Sequence, residues 1–139
     1  MEQDSCGALI KQIHDELEKN TINAMRVHDI TMAQCSALLI LNEALEKQMA
    51  LKELERRLRV AQSTAAGIVT RLEQKGFVED FGSPDDKRIK MVRITQKGIE
   101  CCQRAELDME QAEKMLLSGL TITEQGIFLS LLKKVRDTL

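Results

Sequence analysis

The 139-residue chain has no tryptophan, no tyrosine, three phenylalanines and a single proline. It carries no low-complexity tract, no internal repeat and no linker-like stretch, so it reads as one unit. No run of about 18 apolar residues occurs, which excludes a helical membrane span. The opening MEQDSCGALIKQ is acidic and lacks the basic flank and apolar stretch of a secretory signal. Cys6, Cys35, Cys101 and Cys102 form no C-x-x-C pair and have no histidine beside them. That pattern argues for a reducing cytoplasm and against a zinc site. His14 and His28 have no ligand-like spacing. There is no glycine-rich phosphate loop, no carboxylate pair with a reason to be close and no nucleophile–base pattern. No enzyme, cofactor or metal is therefore expected.

What is present is charge, unevenly placed. The net charge is −2. Residues 52–97 nevertheless hold eleven Lys and Arg against seven Asp and Glu, whereas the rest holds nine against fifteen. Such asymmetry can mark a surface for an acidic partner, although by itself it is compatible with ordinary scatter. At this length one domain, or one domain with dimerisation helices, can bury a core without metals or disulfides.

The most informative stretch runs from Val60 to Gly98. A helix from Ala61 places Ala65, Ile68, Val69 and Leu72 on one apolar face. Its opposite face carries Ser63, Gly67, Thr70 and Gln74, with Thr64 and Arg71 on the flank, and these small or polar residues are not built to enter a core. Gly76 stops the helix. Phe77–Phe81 and Ile89–Ile94 are strand-like, and the Gly82–Asp86 segment between them is rich in turn formers. Lys87, Arg88 and Lys90 make the hairpin tip basic. A small-faced helix beside a basic hairpin is the pattern of a winged helix-turn-helix, a module that grips duplex DNA.

The flanking sequence supplies the rest of the expected fold. Cys6 to about Val27 reads as a helix with a stripe of Cys6, Ile10, Ile13, Leu17 and Ala24. Thr31-Met32-Ala33-Gln34 is a capping box opening a second helix whose Cys35, Leu38, Leu39, Leu41 and Leu45 cover most of its circumference. Met49–Leu58 reads as a short third helix, and Arg59-Val60-Ala61-Gln62 as the turn into the recognition helix. Thr95 can cap a long fifth helix reaching about Ser118. Thr121-Ile122-Thr123-Glu124 is a second capping box, opening a last helix with Ile127, Phe128, Leu131, Leu132 and Val135 on one face. The expected fold class is mainly α, a winged helix of six helices and a two- to three-stranded wing.

At these residues the chain resembles the MarR family of bacterial transcriptional regulators, over about residues 9–139. The most specific elements are Ser63-Thr64, the run Arg71-Leu72-Glu73-Gln74-Lys75-Gly76-Phe77-Val78, then Asp86-Lys87-Arg88, and Ile94-Thr95-Gln96-Lys97-Gly98. The family's wing signature is Asp-x-Arg followed by leucine-threonine and lysine-glycine, and Ile94 here replaces the leucine. The resemblance implies one MarR-type domain, with residues 1–30 and 96–139 as dimerisation helices and 31–95 as the DNA-binding part. Within that part the helix-turn-helix covers about 50–76 and the wing about 77–95. It further implies a homodimer on a pseudo-palindromic operator in double-stranded DNA, cytoplasmic and associated with the nucleoid through that DNA. Such a protein is commonly a repressor released by a small aromatic or phenolic effector. A pocket between the first, second and fifth helices would be lined by aliphatic side chains, methionines and Arg26 or His14.

The residues expected at DNA divide by task. Ser63 and Thr64, in the first turn of the recognition helix, suit phosphate, unless they serve as plain caps. Gln62 can reach a base edge, and Thr70 and Gln74 lie further along the groove face. Arg71 can reach a phosphate or pair with Asp86. The resemblance places Arg88 in the minor groove with Asp86 as its brace. Lys87 and Lys90 add sequence-independent attraction. Gly67 stands where many family members carry a polar or basic residue, and Ala66 where they often carry threonine, which suggests close backbone approach or reduced side-chain reading. Cys6 partly matches the first-helix cysteine of the family's peroxide-sensing branch, but the tyrosines that branch uses are absent. Redox sensing through Cys6, a protein-binding adaptor and a dimer bound to DNA without any effector are the alternative readings.

Overall fold

A computed structural model of the chain describes residues 4–139 and divides them into two compact units, one ending at Ala105 and one of Glu106–Leu139. The break falls inside a helix, which is why no glycine or proline marks it in the sequence.

In the first unit, α1 (Cys6–Val27) is capped by the Ser5 side chain, which accepts from the Ala8 amide. None of its residues is buried, and Leu9, Ile10 and Ile13 are exposed. α2 (Met32–Glu43) opens on the expected capping box. Thr31 Oγ1 accepts from Gln34 N at 3.2 Å, and Gln34 Oε1 accepts from Thr31 N at 3.3 Å. Thr31→Ala removes a cap that typically contributes about 1 kcal/mol. At fixed protein concentration its urea midpoint should fall accordingly, and an unchanged midpoint would show the box to be dispensable.

α2 is the centre of the core, burying Cys35, Ala37, Leu38 and Leu41. Leu45 is not part of it. α2 ends at Glu43, and Leu45 stands almost fully exposed in a short 3-10 turn, Leu45–Lys47. The chain reverses there through left-handed Glu46 and Lys47, so the apolar periodicity no longer applies. The third helix is also shorter than its pattern suggests. Gln48–Ala50 forms strand β1, and α3 spans Leu51–Leu58 with Leu54 fully buried. Met49 belongs to the sheet, opposite Val92. Arg59, left-handed at φ 57°, closes α3 and begins the tight turn into α4 (Gln62–Gln74).

β2 (Val78–Gly82) and β3 (Lys90–Ile94) form the wing, and β1 joins the other side of β3, giving an antiparallel sheet in the order β1-β3-β2. Val78 faces Ile94 and Asp80 faces Val92 across β2 and β3. Of these, Val78, Val92 and Ile94 close the core with Leu38, Leu41, Leu54 and Leu72.

A clasp joins the end of α4 to the start of α5 (Gln96–Leu116). Gly76 turns left-handed at φ 79°, a conformation glycine reaches without steric cost. Thr95 Oγ1 donates to its carbonyl at 2.6 Å and accepts from Gly98 N at 3.2 Å, while Thr95 N donates to the Phe77 carbonyl. Lys97 Nζ donates to the Lys75 carbonyl at 2.6 Å and lies 5.1 Å from the Phe77 ring centre. Lys75 Nζ in turn donates to the Asp29 carbonyl and, at 3.0 Å, to buried Gln34. The Lys-Gly-Phe and Thr-Gln-Lys-Gly segments thus act together to fix where the wing leaves the helix.

In the second unit, α6 (Ile122–Asp137) follows the expected Thr121–Glu124 capping box. Bonding from the Thr121 amide, and then its hydroxyl, holds the Glu124 carboxyl below the usual range. Ile127, Leu131, Leu132 and Val135 are exposed. The described residues form six α-helices and a three-stranded antiparallel sheet.

Candidate nucleic-acid interface

α4 shows the two faces its sequence predicts. Ala65, Ile68, Val69 and Leu72 are buried, whereas Gln62, Ser63, Thr64, Gly67, Thr70, Arg71 and Gln74 are exposed. The N-cap is Ala61, which has no side-chain bond to offer. Ser63 and Thr64 are therefore second- and third-position residues, not caps, and α4 begins with amides that no side chain caps. Thr70 Oγ1 donates back to the Ala66 carbonyl at 2.9 Å and keeps its lone pairs for an outside donor. A Cβ at Gly67 would meet nothing within 4 Å, so nothing inside the chain calls for glycine there.

The wing tip is built around Asp86. Its carboxylate accepts from the Arg88 amide at 3.0 Å, from Nε at 3.1 Å and from a terminal guanidinium nitrogen at 3.0 Å. Ile89 N donates to the Asp86 carbonyl, and Ser83 N to the Ile89 carbonyl, which locks the turn. The Arg88 side chain is 92% exposed while Asp86 is 34% exposed, so the pair aims the guanidinium outward from a half-buried anchor. The Arg88 guanidinium, and secondarily its amide, hold the Asp86 carboxyl below its ordinary range. Asp86 pairs with Arg88 and not with Arg71: two residues along the same turn need no long side chain to reach across.

Lys90 Nζ lies 3.5 Å from Asp80, and Arg93 is bound to Glu79 at 2.7 Å and stacked 4.7 Å from the Phe81 ring centre. Asp80 and Arg93 were not singled out from sequence. Strand alternation and the register of Asp80 opposite Val92 put Asp80 and Lys90 on one face, but that register is a tertiary fact.

Cys6 is exposed in the first turn of α1, while Cys35, Cys101 and Cys102 are buried. Burial, then the neighbouring Cys101, raises the Cys35 thiol; burial raises Cys101 against the pull of Arg104 and Lys75. Both are thereby poor thiolates. His14 is exposed on α1, 3.6 Å from Glu18. Among the described residues no cluster of three His, Cys, Asp or Glu could hold a metal, and no helix is long and apolar enough to cross a membrane.

Residues 30–90, from the end of the α1–α2 turn through the wing tip, match the sequence profile of the MarR family. The chain is also 29% identical over 130 residues to the multiple antibiotic resistance protein MarR of Escherichia coli, covering 93% of this chain and 89% of that one. The chain is therefore similar to members of the MarR family. The apo crystal structure of E. coli MarR superposes with a TM-score of 0.74 at 29% identity, covering 94% and 96% of the two chains. A MepR mutant of S. aureus bound to an oligodeoxyribonucleotide is similar in fold, with a TM-score of 0.82 at 20% identity over 96% and 97% of the two chains. The HTH-type transcriptional regulator YwaE of Bacillus subtilis is 31% identical over 80 residues. This chain covers only about half of its length, 47%, and 58% of this chain is aligned.

Proposed function

We propose that the chain is a dimeric, sequence-specific DNA-binding transcriptional regulator, a repressor released by a small-molecule effector and working in the cytoplasm. The observation that carries the reading is the outward Arg88, held by Asp86, on the same unit as the polar face of α4. The related MarR and YwaE proteins, and the MepR mutant solved with an oligodeoxyribonucleotide, support the same direction.

In this mechanism α4 enters the major groove. The hydroxyls of Ser63 and Thr64 and the α4 N-terminal amides take a phosphate, while Gln62, Thr70 and Gln74 face base edges. Arg71 and Lys87 hold the flanking backbone. Arg88 enters the minor groove, where narrow A·T stretches concentrate negative potential. Gly67 lets the α4 backbone approach the duplex without a side chain between. The exposed apolar residues of α1, and separately of α6, are surface a second subunit would cover, and a dimer presents two α4 helices to two half-sites.

Fluorescence anisotropy of labelled duplexes drawn from the DNA flanking the coding region tests this. Tight binding to one fragment, falling steeply with salt, is expected. Binding no stronger than to random duplex at moderate salt, for every fragment, would remove the operator reading and favour a protein partner.

A further inference from the structure

Lys90 lies in the wing, at the edge of the proposed DNA surface, yet its ammonium is already engaged by Asp80 at 3.5 Å. Asp80, Phe81, Gly82, Lys87, Arg88 and Lys90 line one open cleft of about 280 Å³. Asp80 is therefore the carboxylate that lines this cleft together with Lys87, Arg88 and Lys90. It also lies near Glu73 of α4, whose carboxyl it pushes above the usual range. Two acids thus share one lysine at the joint between recognition helix and wing. Arg93 cannot relieve them: it lies on the other face of the hairpin, bound to Glu79 and stacked on Phe81.

We propose that Asp80 is a specificity-determining residue that competes with DNA phosphate for Lys90. The proposal rests on the DNA-binding reading above. A phosphate that takes Lys90 leaves Asp80 facing Glu73 without its counter-ion, and both face a polyanion. A loose, sequence-independent encounter offers too little to offset that repulsion, so Lys90 stays with Asp80. Only a fully seated wing brings phosphate close enough to displace it. Asp80 thereby suppresses non-specific binding more than operator binding.

Anisotropy with a random-sequence duplex, over about 50–200 mM salt, tests this in wild type, Asp80→Asn, Lys90→Gln and the double variant. Asp80→Asn should bind random duplex about threefold to tenfold more tightly, with the salt slope steeper by about 0.9, one additional phosphate contact. Introduced into Lys90→Gln, the same change should lose most of that gain, because the released cation is missing. An equal gain in both backgrounds would show only the loss of one negative charge and would overturn the proposal, as would no gain while wild type binds. Failure of wild type to bind any duplex would remove the DNA reading itself, a result recognisable without any variant.

Discussion

Gly98→Ala is expected to destabilise the protein by at least about 3 kcal/mol, more than most single overpacking changes. A Cβ at this position would overlap the Phe77 carbonyl oxygen and stand 2.6 Å from Ile94 Cγ1. Neither neighbour can yield. The Phe77 carbonyl accepts from Thr95 N at 3.0 Å, and Ile94 sits in the core opposite Val78. The residue also lies in the first turn of α5, so relief would require that helix to lift from the base of the wing and Thr95 to release its 3.2 Å bond from Gly98 N. Chemical denaturation reads the effect, with Gly67→Ala as the contrasting variant. Gly67 is a mid-helix glycine with open space around its Cβ position, so alanine there should stabilise by roughly 0.5–1 kcal/mol. Equal midpoints for the two variants would show that the clasp does not discriminate. If Gly67→Ala also weakens DNA binding while stabilising the fold, close backbone approach at that point gains direct support.

Arg88→Ala should lower operator affinity about tenfold to hundredfold while leaving the denaturation midpoint nearly unchanged. The two halves of that expectation have different causes. The Arg88–Asp86 pair is exposed and screened, and such pairs contribute little to folding. In the proposed complex the same guanidinium would be desolvated in the minor groove, already aimed by Asp86 before contact. The salt slope should become shallower by about 0.9 if Arg88 also displaces one counterion. Arg88→Lys should not restore affinity, because an ammonium cannot make the two-pronged bond that Asp86 uses to aim the side chain. Asp86→Ala should weaken binding in the same direction through loss of aim, although it removes a negative charge from the interface. Tighter binding by that variant would make Asp86 a repulsive residue instead of a brace. Because Asp86 is held below its ordinary range when folded, the pair is complete throughout neutral pH and is lost only as pH falls through the lowered value.

The local signals were strong wherever one helix or one turn decided the outcome. The apolar face of α4 was read residue by residue, because a 3.6-residue period assigns each side chain to a face without knowledge of the partner. Both capping boxes were legible for the same reason: donor and acceptor lie three residues apart. The pattern failed where the backbone left the helix. Leu45 continued the apolar series of α2 and Met49 was the expected first residue of the third helix, yet one lies in a left-handed reversal and the other pairs with β3. A strand of three residues carries too little periodicity to announce itself.

The sequence by itself determined a six-helix winged architecture, the exposed polar face of α4 and the Asp86–Arg88 wing tip, because each depends on neighbours a few residues apart. Only the tertiary structure decided what the most recognisable motif is for. Gly76, Thr95, Lys97 and Gly98 are separated by as many as 22 positions and meet as a clasp beneath the wing, through bonds and a close approach that no local pattern contains. It also decided that Lys90 binds Asp80, since that partner is chosen by strand register and distance, and neither is encoded at a single position.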